Sequence, residues 1–112
     1  RLIGMSHAMD LILTGRGVSG TEAQAMGLAN RLTPPGRALH EALSLAEQLC
    51  QFPQLCMRND RLSAYTQWDK DLDAALLAET ELGLAVVRSG ETQAGAARFA
   101  SGKGRHGDFS DL

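Results

Sequence analysis

Ser19-Gly20-Thr21-Glu22-Ala23-Gln24-Ala25-Met26-Gly27-Leu28 carries the clearest local instruction in the chain. A serine followed three residues later by glutamate is a capping box: the Ser19 hydroxyl accepts from a free amide of the first turn, and the Glu22 carboxylate reaches back to the Ser19 amide. A short helix through Met26 follows. Gly27 supplies the left-handed residue that ends it, and Leu28 packs back on the last turn. Upstream, Thr14-Gly15 closes an earlier helix over Ser6 to Thr14, with Ser6 as its N-cap and Ala8, Met9, Leu11, Ile12 and Leu13 as its apolar part. Downstream, Leu28, Asn30 and Leu32 alternate with Ala29 and Arg31, which predicts a short extended piece closed by Pro34-Pro35.

Beyond the prolines the period becomes helical. Leu39, Ala42, Leu43, Ala46, Leu49 and Cys50 recur on one face of a segment from Arg37 to Cys50. Pro53 suits the first position of a helix reaching about Gln67 and carrying Leu55, Leu62 and Tyr65. Asp69 or Asp71 caps the longest helix, which runs to about Arg88. Ala75, Ala78, Leu82, Ala85 and Val86 form one face, and Leu72, Leu76 and Val87 widen the apolar area beyond one stripe. A helix apolar on two faces needs two neighbours to cover it. Ser89-Gly90 breaks the pattern before a last helix from about Glu91 to Phe99. The expectation is an all-α chain of five or six short helices in residues 1–100, then a polar, Gly-rich tail over 101–112.

The chain of 112 residues fits one domain. Aromatics are 4% against 44% apolar residues, so Leu, Ala, Val and Met must form any core. A net charge of −2 argues against a nucleic-acid surface, which needs a strongly basic face. Cys50 and Cys56 form neither a disulfide framework nor a zinc spacing, which predicts no metal and a reducing, cytoplasmic setting. No apolar run reaches the length of a membrane span. The chain opens on Arg1 rather than Met, as expected of a segment from within a larger protein.

Catalytic constellations are scarce. There is no Gly-x-Ser-x-Gly elbow, no phosphate-cradling glycine loop and no His-Glu-x-x-His. His7 and Asp10 share a helix face and read as an exposed pair, and His40 lies on a polar face. Glu79 follows Leu72 and Leu76 on one face. A carboxylate at the edge of an apolar surface can work as an acid or base, but a boundary residue is the plainer reading. Trp68 reads as a packing anchor. Lys103, Arg105 and His106 stand among glycines, a pattern that suits either phosphate contact or a solvated tail.

Arg1, Gly4, Ala8, Leu11, Thr14-Gly15, Glu22-Ala23, Gly27-Leu28 and Thr33-Pro34 together resemble the crotonase (enoyl-CoA hydratase/isomerase) family. The spacing from Thr14-Gly15 to Glu22-Ala23 to Gly27-Leu28 is the specific part, and Gly95 with Phe99 resembles the family's terminal helix. Gly20 stands where the family often has Ala, Ala29 and Thr33 replace common valines, the tail from Ser101 departs from the family's Glu-Lys-Arg, and a family aromatic that shelves adenine falls near Gly83.

The resemblance implies the C-terminal helical part of a ClpP/crotonase-like fold. It implies an acyl-CoA thioester substrate, two backbone N–H groups holding an enolate-like oxyanion, and one or two carboxylates moving protons. Those groups lie upstream of Arg1 in the family, so this stretch is expected to hold no catalytic residue. The helical part is expected to build trimers, often paired into hexamers, and to lend contacts to coenzyme A. Coenzyme A enters as part of the substrate, with no prosthetic group. Lys103 and Arg105 are the candidates for its phosphates. Two other outcomes stay open: a non-catalytic helical oligomerisation or binding module, and a crotonase-fold isomerase, decarboxylase or dehalogenase.

Overall fold

The computed structural model describes residues 1–104, and among these it holds helices and turns with no strand. In chain order the helices are α1 Gly4–Thr14, α2 Gly20–Ala25, α3 Ala38–Cys50, α4 Gln54–Thr66, α5 Leu72–Ser89 and α6 Glu91–Ala100, with a 3-10 turn Gln67–Asp69 after α4. The all-α expectation holds for the described residues, with six helices. The chain divides into two compact units, Arg1–Ser44 and Leu45–Leu112.

In the first unit the capping box is half as expected. Ser19 Oγ accepts the Glu22 amide at 3.1 Å, so α2 has its N-cap. The Glu22 carboxylate has Arg16 as its main partner, Nη2 donating to Oε1 at 2.6 Å, and the Ser19 amide acts on it more weakly. Gly27, at φ +83°, ends α2 with Leu28 N–H donating to the Ala23 carbonyl (2.8 Å) and Gly27 N–H to Gln24 (3.1 Å). That pair of bonds is a Schellman cap. Gly15, at φ +61°, ends α1 as expected. An added Cβ at Gly20 would lie 3.2 Å from Leu32 Cδ2, which gives a local reason for glycine there. Ser19→Ala should lower stability by about 1 kcal/mol, the usual worth of a serine N-cap. Thermal unfolding followed by circular dichroism reads this, and an unchanged midpoint refutes it.

One expectation fails here. α1 begins at Gly4 and is entered from Ile3, so Ser6 lies inside the helix and is not its N-cap. Residues 28–32 pair with no strand among the described residues.

In the second unit α4 packs on α5, and α5 on α6. Asp71, not Asp69, caps α5: its Oδ1 accepts the Ala74 amide at 2.8 Å. Gly90, at φ +84°, ends that helix. The face read from the period is the inward one, with Ala75, Ala78, Leu82 and Ala85 half-buried and Val86 buried. Pro53 is the N-cap of α4 rather than the first helical residue, and Leu62 and Tyr65 are exposed. The sheltered positions are Leu55, Cys56, Met57, Asn59 and Ser63. Small and polar side chains let α4 and α5 approach, and Asn59 Nδ2 donates to the Leu82 carbonyl at 2.9 Å.

Val86, 6% exposed, is the sole buried residue among those described. Leu72, Leu76, Leu77 and Val87 of α5 are each more than half exposed, as are Leu39 and Leu43 of α3 and Met5, Ile12 and Leu13 of α1. Trp68 is 56% exposed. Among the described residues no helix is long and apolar enough to cross a membrane.

Candidate functional site

The C-terminal end of α6 closes on a second Schellman cap. Gly102, at φ +101°, donates to the Phe99 carbonyl (3.0 Å), and Lys103 N–H donates to Arg98 (3.1 Å). The turn folds Lys103 back beside the last turn of α6. There it lines a recess of about 200 Å³ with Phe52, Pro53, Gly95, Arg98 and Phe99. Gly95 also borders a second recess of about 250 Å³, lined by Cys56, Val86, Glu91 and Thr92. A glycine inside a helix costs about 1 kcal/mol relative to alanine. A Cβ at Gly95 would meet nothing within 4 Å, so packing does not demand the glycine.

Lys103 is therefore placed in a cavity with a second cation, Arg98, that sequence reasoning passed over. Arg105, the other expected phosphate contact, lies outside the described residues. Arg98 falls three residues after Gly95, one helical turn on, and that spacing was the available signal.

Glu91 is the larger surprise. It opens α6 and caps a helix 35 residues away in sequence. Its Oε1 accepts the Leu55 amide at 3.0 Å and its Oε2 the Cys56 amide at 2.9 Å. Pro53 offers α4 no side-chain cap, and Glu91 fills that role. The amides of Cys56 and Leu55 hold the Glu91 carboxyl below its ordinary range, against a small opposing effect of burial. Burial pushes the neighbouring Cys56 thiol up, with Asp60 adding to it, which makes that cysteine a poor nucleophile at neutral pH.

In the first unit Arg16 joins two carboxylates, Asp10 at 2.8 Å and Glu22 at 2.6 Å. Its hydrogen bond to Glu22, then that to Asp10, raises the Arg16 pKa, and Arg16 in turn lowers that of Glu22. Exposed pairs of this kind add little to stability. Asp10 is thus bonded to Arg16 rather than His7, and His7 instead lines a shallow recess of about 150 Å³ with Glu22. His40 is exposed, between Arg37 and Glu41. Glu79 is exposed on α5. Among the described residues no three His, Cys, Asp or Glu side chains are grouped to hold a metal ion.

Among the described residues the helices leave a single side chain buried and an open recess beside two cations. A family model described as enoyl-CoA hydratase/isomerase matches residues 1–108, and the chain belongs to that family. Enoyl-CoA hydratase EchA19 of Mycobacterium tuberculosis is 32% identical over 100 residues, which is 89% of this chain and 38% of that protein. A relative from Thermus thermophilus, also under an enoyl-CoA hydratase name, is 53% identical over 51 residues, 46% of this chain and 20% of its own length. An enoyl-CoA isomerase/hydratase of Zymoseptoria tritici is 42% identical over 69 residues, covering 51% of this chain and 22% of the relative. The chain thus spans between a fifth and two fifths of these relatives.

Proposed function

We propose that the chain is the C-terminal helical part of an enzyme acting on acyl-CoA thioesters by oxyanion-stabilised, enolate-type chemistry. In this reading the segment covers the acyl-CoA site and builds the oligomer, a trimer or paired trimers. The catalytic groups come from outside these residues. Coenzyme A is part of the substrate, with no prosthetic group, and the setting is cytoplasmic. Family membership supports the substrate class. The observation that carries the covering role is the exposure of Leu72, Leu76, Leu77 and Val87 on α5 while only Val86 among the described residues is buried. Contiguous apolar patches of several hundred Å² on a soluble chain mark surfaces that pair. The isolated chain should therefore self-associate at micromolar concentration. Sedimentation velocity checks this, and a lone monomer peak defeats the covering reading.

Lys103 and Arg105 are assigned to coenzyme A phosphates. The placement of Lys103 beside Arg98 and two phenylalanines supports a site for a phosphorylated, partly apolar ligand. In an active enzyme carrying this chain, replacing both with Ala should raise KM for the acyl-CoA about tenfold and spare kcat, as expected when binding common to ground and transition states is removed. An unchanged KM removes the binding role.

A further inference from the structure

Among the described residues α4 packs on α5 and α5 on α6, whereas α6 meets α4 only sparsely. The seam between α6 and the start of α4 is hollow. A recess of about 250 Å³ lies there, with Pro53 and Cys56 on the α4 side, Thr92 and Gly95 on the α6 side, and Val86 of α5. Atoms that line a gap lack partners on one side and forfeit dispersion attraction. What crosses the seam is a carboxylate: Glu91 accepts the Leu55 and Cys56 amides at 3.0 and 2.9 Å.

Glu91 also stands beside a pivot. Gly90, at φ +84°, ends α5 and opens α6, with open space where a side chain would project. The ten-residue α6 carries Gly95 in its interior. A helix shorter than about 12–15 residues is marginal by itself, so α6 depends on what it docks against. α4 has a second hold that does not involve α6, since Asn59 Nδ2 donates to the Leu82 carbonyl of α5 at 2.9 Å.

We propose that Glu91 is an acid-sensitive latch: ionised, it holds α6 against the start of α4, and its protonation frees α6 to turn about Gly90 and opens the recess over Val86, while α4 stays on α5. A protonated carboxyl keeps acceptor capacity but loses the charge that makes bonds to amides strong. Arg98 of α6 favours the charged form, and α4 brings the Cys56 thiol, with Asp60 Oδ2 3.6 Å from its sulfur. From α5 the recess takes the apolar Val86. The amides of Cys56 and Leu55 hold the Glu91 carboxyl below its ordinary 4.5, so the latch is shut at neutral pH and opens as pH falls through that lowered value.

Amide hydrogen exchange of the full chain, resolved by residue, tests the latch. At pH 7, Glu91→Gln should lower the protection of Leu55, Cys56 and the α6 amides from Ala97 to Ala100 together, by about tenfold, the usual worth of a hydrogen bond to a charged group. The α5 amides around Leu82 should keep theirs. The unmodified chain, taken from pH 7 to pH 3, should lose protection first at those same amides, and Glu91→Gln should show no such early step. Loss confined to Leu55 and Cys56 makes Glu91 a cap that does not hold α6. Loss spread evenly over α4, α5 and α6, in the variant or in the acidified chain, makes it a general stabiliser. Either result overturns the proposal.

Discussion

Incubated with crotonyl-CoA, the isolated chain should leave the enoyl absorbance falling at its buffer rate. Hydration needs donors aimed at the oxygen that becomes negative, and losing one such donor costs on the order of a hundredfold or more. The natural donors in a helical chain are the free amides of helix N-termini. Here several are taken: the Glu22 amide by Ser19, the Ala74 amide by Asp71, and the Leu55 and Cys56 amides by Glu91. Hydration also needs a carboxylate free to move a proton. Glu22 is held by Arg16 and Glu91 by the α4 amides, and both are pushed toward lower pKa, away from the value a base needs at neutral pH. Glu79 and Glu81 are exposed to water. Ligand pockets usually enclose about 300–1,000 Å³, and three recesses among the described residues hold about 150, 200 and 250 Å³. Turnover clearly above the buffer rate, abolished by Glu79→Gln, would reverse this conclusion and make Glu79 catalytic.

Glu91→Ala should lower the melting midpoint by roughly 5 °C or more, since α4 loses the carboxylate that accepts from its first amides and charge-assisted bonds to backbone amides are among the stronger ones. Glu91→Gln should recover part of the loss, because one amide oxygen can still accept. The wild-type chain should show a matching pH dependence. The bonds from Cys56 and Leu55 keep Glu91 ionised at lower pH in the folded chain than in the unfolded one, whose carboxyl has its ordinary value of 4.5. The stability from the cap is complete above that value and drains away as pH falls through the depressed folded value, where the folded chain also takes up the proton. Thermal melts from pH 7 to pH 3 measure it. A wild-type and a Glu91→Gln chain that lose stability in parallel over that interval would exclude the cap as the cause.

The parts of the fold legible in the sequence are those set by neighbours along the chain. Gly15, Gly27 and Gly90 end helices because a left-handed residue carries no steric cost for glycine, and Ser19 and Asp71 begin them because a short polar side chain reaches an amide three residues ahead. The inward face of α5 follows from a 3.6-residue period. The spacing of these local signals also carried the resemblance that the family match bears out. What tertiary structure alone decided are contacts between residues far apart in sequence. Glu91 on the Leu55 and Cys56 amides, Asn59 on the Leu82 carbonyl, and Phe52 beside Arg98 and Lys103 each join segments 23 or more residues apart. No local period encodes such a pairing: a carboxylate in the first turn of α6 has the same sequence signature whether it faces water or caps another helix. Only the packing of α4, α5 and α6 brings its oxygens within 3.0 Å of those amides.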